Sequence, residues 1–226
     1  MDKRNANQFR PTCTKTFFFC WIIIKIVILL LVLQSGFINR VSGSGYAEFQ
    51  NTKVLCTVIG PSPIASGQAF TEVGLVYCYF KYATFSRRDC RKGYQQDQEE
   101  KEYSVIMEDA LANSICLEKY PKSRFDCHIL ILEDDGAALP IAITAASLAF
   151  ADAGIEMFDI VTACSAAIVL NDNTNKDEVI LDPSWEEQTR SKGIITFAYS
   201  SALAQVMHMH QTGYFTITQT AEVILH

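Results

Sequence analysis

The sequence predicts an α/β (α+β) domain in which helices pack on one mixed β-sheet. Three observations carry that expectation. Short apolar runs with strand-like alternation open the domain, two segments of helical period occupy its middle, and further apolar strands follow the second helix, giving the order β-β-β-α-β-α-β-β-β.

Tyr46 to Phe49 and Lys53 to Ile59 flank the polar tripeptide Gln50-Asn51-Thr52, which suits a tight hairpin, and Gly60-Pro61-Ser62-Pro63 is expected to end the second strand. Leu75 to Phe80 alternates aromatic and smaller apolar residues, as a half-buried strand does. Phe85 to Glu102 is polar throughout and reads as a long exposed loop. Its basic half holds Arg87, Arg88, Arg91 and Lys92, and its second half is rich in Gln, Asp and Glu. Tyr103, Ile106, Met107, Ala110, Leu111 and Leu117 recur at helical spacing, which predicts a helix over Glu102 to Tyr120 with one face on the sheet. Arg124 to Leu132 then reads as a central strand. The helix over Pro140 to Ala153 carries Ala142, Ala145, Ala146, Ala149 and Ala153, small enough for close approach to a neighbouring backbone, and Gly154 caps it. Phe158 to Leu170, Val179 to Leu181 and Ile194 to Tyr199 are the remaining strands, with a polar turn at Asn171 to Lys176. The last apolar run is Tyr214 to Leu225. No strong third helix follows it, so a C-terminal element is expected to be missing.

The chain has 226 residues, 49% of them hydrophobic and 19% charged, with a net charge of −6, which fits one domain of ordinary size plus an appendage. An acidic balance argues against a protein that coats nucleic acid electrostatically, although a local basic loop can still touch phosphates. The eight cysteines (13, 20, 56, 78, 90, 116, 127 and 164) include no C-x-x-C pair, so they are expected to be reduced, buried thiols rather than zinc ligands or a disulfide framework.

Residues 1–34 form an N-terminal extension, and the domain is expected to run over 35–226. Within the extension, Phe17 to Leu33 is almost unbroken apolar sequence, interrupted by Lys25 and preceded by Lys3, Arg4, Arg10 and Lys15. Read alone it is a signal anchor, a short membrane span or a cleaved signal peptide. The opposing reading is a non-native first exon, because everything after it looks like a cytosolic fold.

The most informative stretch is Glu133-Asp134-Asp135-Gly136-Ala137-Ala138-Leu139, which leads straight into the alanine-rich helix. A strand, an acidic turn with Gly and a helix start aim free N–H groups and the positive end of the helix dipole at an anion. Ala138 and Leu139 supply neither the hydroxyl nor the cation that a working phosphate site adds. Two other features read as structural. Asp134-Asp135 suits a turn better than a Mg²⁺ site, and His208-x-His210 has no third metal ligand nearby.

Taken together, the segments Gly43 to Leu55, Ala145 to Ile155 and Leu181-Asp182-Pro183 with Glu186-Glu187 resemble the RNase PH-like subunits of the RNA exosome ring, over about Ser35 to Tyr199. The Asp-Pro and Glu-Glu pattern with the Gly-Ala-Ala-Leu loop is most similar to the mRNA transport regulator branch. The resemblance implies an RNase PH-like fold, similar to a domain of a small-subunit ribosomal protein. Six such subunits close into a ring around an RNA channel.

Active members of that family use inorganic phosphate to cleave RNA from its 3′ end, and the resemblance locates three parts of their site in this chain. Their phosphate-holding Ser or Thr and Arg fall on Ala138 and Leu139. Of the acidic pair that supports the metal and the general acid, Asp182 matches the first member and Gln188 stands in place of the second. Their arginine pair falls on Gln98 and Glu99. A chain so changed is expected to need no cofactor or metal and to be non-catalytic. Its implied partners are other ring subunits, cap subunits and RNA, touched by Arg87, Arg88, Arg91 and Lys92, and its implied location is nucleus, nucleolus and cytoplasm. The alternatives are an active phosphorolytic exoribonuclease and a membrane-anchored binding protein.

Overall fold

The computed structural model describes residues 31–64, 72–88, 91–171, 176–215 and 220. Five strands, β1 (Leu31–Ser35), β2 (Gly43–Phe49), β3 (Thr52–Pro63), β4 (Leu75–Tyr82) and β5 (Ser123–Glu133), form one sheet in the order β1-β2-β3-β5-β4. It is mixed as expected, with β4 parallel to β5 and the other pairs antiparallel. A second sheet corrects the one-sheet expectation. β6 (Val161–Asn171), β7 (Lys176–Leu181), β8 (Ser191–Ser200) and β9 (Gln205–Gly213) pair antiparallel with one another in the order β7-β6-β8-β9.

The helices α1 (Gln98–Ala112) and α2 (Ala138–Asp152) lie between the sheets, and the single-turn-and-a-half α3 (Trp185–Arg190) joins β7 to β8. The sequence of α2 explains the sandwich. Ala138 to Ile143, Ala145 to Ser147, Ala149 and Phe150 are all buried, and a helix apolar nearly all round must be covered on more than one side. Its alanines do allow close approach. A Cβ at Gly43 would lie 2.3 Å from the Ala149 carbonyl oxygen, and one at Gly45 2.4 Å from that of Ala145, so α2 rests directly on the backbone of β2. On its other side, the Ser147 hydroxyl donates to the Val161 carbonyl of β6 at 2.8 Å.

α1 packs differently, through a polar stripe. β4 is an outer strand of the first sheet, and the N–H groups of Cys78, Phe80 and Tyr82 donate to Glu108 (2.9 Å), Ser104 (3.1 Å) and Glu100 (2.9 Å) of α1. These acceptors are spaced four residues apart on one helix face while the donors alternate along the strand, so helix period meets strand period. Glu100 is wholly buried yet satisfied, because it also accepts from Lys81 Nζ at 3.0 Å and from the Asp97 N–H at 2.8 Å.

Several boundaries move. Leu31–Ser35 pairs with Phe49 back to Gly45, so the end of the apolar run Phe17 to Leu33 belongs to the domain, and the boundary at residue 35 falls too late. Residues 17–30 lie outside the described residues, as do most of Tyr214 to Leu225 and the turn at 172–175. Among the described residues no helix is long and apolar enough to cross a membrane. β3 continues through Pro63 with a register shift instead of stopping at Gly60. α1 begins at Gln98, inside the expected loop, because Asp97 and Glu100 form a capping box. It ends at Ala112, leaving a 3-10 turn at Leu117–Lys119 where the sequence predicts continued helix. Cys56, Cys78 and Cys127 are buried thiols as expected, Cys116 is half-buried, and Cys164 is exposed.

Candidate functional site

The turn between β5 and α2 is tied down on every side. Asp134 Oδ1 accepts from the Gly136 N–H at 3.1 Å, which is the turn role expected of it. The Thr52 hydroxyl, at the start of β3, donates to the Gly136 carbonyl at 2.9 Å and accepts from the Asp135 N–H at 3.1 Å, while Asn51 Nδ2 donates to Asp135 Oδ2 at 2.8 Å. The Trp185 N–H of α3 donates to the Asp135 carbonyl at 2.8 Å. Gly136 has φ +95, and a Cβ there would lie 2.4 Å from the Pro183 carbonyl oxygen. That contact brings the turn against the segment after β7.

Ala137, at φ 49, precedes a helix start with no side-chain cap. Ala138 and Leu139, both buried, then line a cleft of about 100 Å³ together with Tyr82, Arg87, Glu99, Asp134, Gln188 and His210. Three positions that the sequence singled out separately, in the turn, at Glu99 and at Gln188, therefore meet in one place. Gln98 is exposed and does not line it.

Arg87 dominates the charge balance of this cleft. Its guanidinium grips Glu99 with two hydrogen bonds of 2.7 and 3.2 Å, donates from Nε to Asp134 Oδ2 at 3.0 Å, and lies 4.4 Å from the centre of the Tyr82 ring. Lys92 adds contacts to Glu99 and Asp97, each 3.1 Å. Burial alone would push the Glu99 carboxyl up, but the hydrogen bonds and charges of Arg87 and Lys92 outweigh it and hold the group below its ordinary range. At Asp134 burial wins, and its pKa is raised despite Arg87. Burial also pushes Tyr103 up to about 12 and lowers His210, favouring the neutral imidazole.

Asp182 lies at φ 47, and its carboxylate accepts from the Ser165 N–H at 3.0 Å and the Ser165 hydroxyl at 3.3 Å. It braces the end of β7 against β6. The loop cations divide. Arg87 and Lys92, expected to touch RNA, are turned into the ion-pair network, whereas Arg88 and Arg91 are exposed. His208 and His210 sit two apart on β9, and no group of three or more metal-ligating side chains with the geometry for an ion is found among the described residues. Sequence reasoning missed Tyr82, Thr52 and α3. The Ser184 and Glu187 capping box was a readable signal for α3.

Fold and cleft define a class: a two-sheet α/β scaffold whose strand-to-helix turn carries apolar side chains. A profile of the 3′ exoribonuclease family, domain 1 (RNase PH), matches residues 30–156, and the chain belongs to that family. Exosome complex component mtr3 of Schizosaccharomyces pombe is 38% identical over 187 residues, covering 81% of this chain and 70% of that protein. Exosome complex component RRP41-like of Arabidopsis thaliana is 33% identical over 193 residues, covering 85% and 72%. The crystal structure of rice (Oryza sativa) Rrp46 matches with a TM-score of 0.73 at 24% identity, over 99% of this chain and 90% of that one, a likeness of fold. The residues present do not fit the phosphate or metal that active members hold. Ala138 and Leu139 offer no grip on an oxyanion, Gln188 offers an uncharged amide, and Asp182 is committed to Ser165.

Proposed function

We propose that the chain is a non-catalytic subunit of the RNA exosome core ring, which supports 3′–5′ RNA processing and degradation by building the ring and helping to thread RNA. One observation carries the reading. The places that the resemblance gives to the phosphate grip, the second metal carboxylate and an arginine converge on a single cleft, and there present Ala138, Leu139, Gln188 and Glu99. Glu99 inverts the charge expected at its position and uses it to hold Arg87 and Lys92. Paired with that carboxylate, neither cation is left free to grip a phosphate.

Assembly is favoured by the apolar side chains left on strands at the sheet margins. Leu31, Val32 and Leu33 of β1 and Val206 and Met209 of β9 are all more than a third exposed, and cover by neighbouring ring or cap subunits would remove them from water. The names of the relatives, exosome components mtr3 and RRP41-like, support the same partners. Arg88 and Arg91 are the loop cations left to meet RNA, and a nuclear, nucleolar and cytoplasmic location goes with this function.

Incubating the purified chain with end-labelled RNA and inorganic phosphate should release no nucleoside diphosphate, while the tagged protein should bring down ring and cap subunits. Phosphate-dependent release of diphosphates would overturn the reading.

A further inference from the structure

We infer that a second cleft, on the outer side of the Asp134–Asp135 turn, holds one nucleotide of single-stranded RNA, with its base on Phe85 and its phosphate on Arg88. The inference rests on the proposed ring function for its supply of RNA, and goes beyond it in giving the chain a defined nucleotide site.

The cleft has a volume of about 410 Å³, and Phe85, Ser86 and Arg88 face Lys53, Glu133 and Asp135 across it. That is room for a nucleotide-sized ligand. Phe85 is 72% exposed, although Ser86 beside it is 3% exposed, so an aromatic ring is presented to solvent from a firmly seated backbone. The backbone is fixed on both sides, because the Ser86 N–H donates to the Ala83 carbonyl at 3.0 Å and its carbonyl accepts from the Asp134 N–H at 3.0 Å. Ser86 is one of the lining residues, and its own hydroxyl is buried without a hydrogen-bond partner, alone in this among the buried side-chain polar atoms of the described residues.

The charges distinguish one stacked nucleotide from a long electrostatic track. Lys53 pairs with Glu133 at 3.0 Å, and Arg87 pairs with Asp134 from the other side, so two of the carboxylates are balanced. Arg88 forms no ion pair with a described residue, and the Asp135 carboxylate accepts from the uncharged Asn51 amide. What remains is one cation for one phosphate, an aromatic face for one base, and carboxylate oxygens able to accept from ribose hydroxyls. This combination suits sequence-tolerant single-strand binding and favours RNA over DNA through the 2′-hydroxyl.

The test uses the assembled ring containing the full chain, with RNA carrying 4-thiouridine as the photoreactive probe and a matched 4-thiothymidine DNA as control. Crosslinks should map to the peptide bearing Phe85, at higher yield for RNA than for DNA. Phe85→Ala should lower that yield roughly tenfold, in line with the loss of one stacked base, whereas Phe85→Tyr should keep it and Arg88→Gln should lower it. An intact ring whose crosslinks are indifferent to Phe85→Ala and Arg88→Gln would overturn the nucleotide site and leave the ring function standing. A photoreactive residue at position 85 that captures a neighbouring subunit instead of RNA would also overturn it, by making the cleft a protein interface. Failure of the wild-type chain to enter a ring would remove the proposed function, and this inference with it.

Discussion

Asp134 is a wall shared by two clefts, and the two differ in what they leave undone. On the inner side each charge has an internal answer: Arg87 bridges Asp134 and Glu99, Lys92 adds to Glu99, and the helix start is filled by Ala138 and Leu139. On the outer side a guanidinium and an aromatic ring stay uncommitted among the described residues. The same turn is thus closed on the side of Ala138, Leu139 and Gln188 and left open on the other. The proposed lack of catalysis and the proposed nucleotide site are separable because they depend on different side chains of one rigid element.

The strongest way to break the comparison is to remove the turn that both clefts share. Gly136→Val places a branched side chain at φ +95 against the Pro183 carbonyl, and should cost about 3 kcal/mol or more in urea unfolding. An unchanged midpoint would show that the turn and α3 are not locked together. Arg87→Ala should come next, at about 3 kcal/mol, because it strands the buried Asp134 carboxylate and frees Glu99. A loss far below that would return Arg87 to the pool of RNA-contacting cations.

A pH series sharpens the inner side. Glu99 has a folded pKa below its unfolded value, so its stabilisation is present above the ordinary carboxylate range and lost as pH falls through the depressed value. Asp134, whose folded pKa is raised, has the opposite sign and favours the folded state as it takes up a proton. The stability difference between wild type and Glu99→Gln should therefore be largest near neutrality and shrink below roughly pH 4, the unperturbed range for Glu. A difference independent of pH would mean that shape, not charge, links Glu99 to Arg87. The smallest effect belongs to the outer side: Phe85→Ala should change unfolding free energy by no more than about 0.5 kcal/mol, as expected for an exposed side chain.

Local pattern made much of this legible. The alanine spacing of α2 foretold a close seat on a neighbouring backbone, which is that of β2. The resemblance placed Gln188 and Glu99 as altered positions, and the fold brings both to the cleft. The second sheet was not legible, since the apolar runs that mark β6, β7 and β8 as strands do not name their partners, and β9 was not among the expected strands. Nor could the sequence separate Arg87 from its neighbour Arg88. Their different fates depend on Glu99, 12 residues away, and Asp134, 47 residues away, and only the folded chain brings those carboxylates to one of the two guanidinium groups.

The stripe Glu100, Ser104 and Glu108 gives the first sheet a closed margin and an open one. A foreign strand approaching β4 finds the N–H groups of Cys78, Phe80 and Tyr82 already engaged, so among the described residues main-chain pairing from outside is left to β1. Strand addition through this sheet thus has one margin to use among the described residues, and a chain of copies linked through both of its margins would first have to displace α1 from β4.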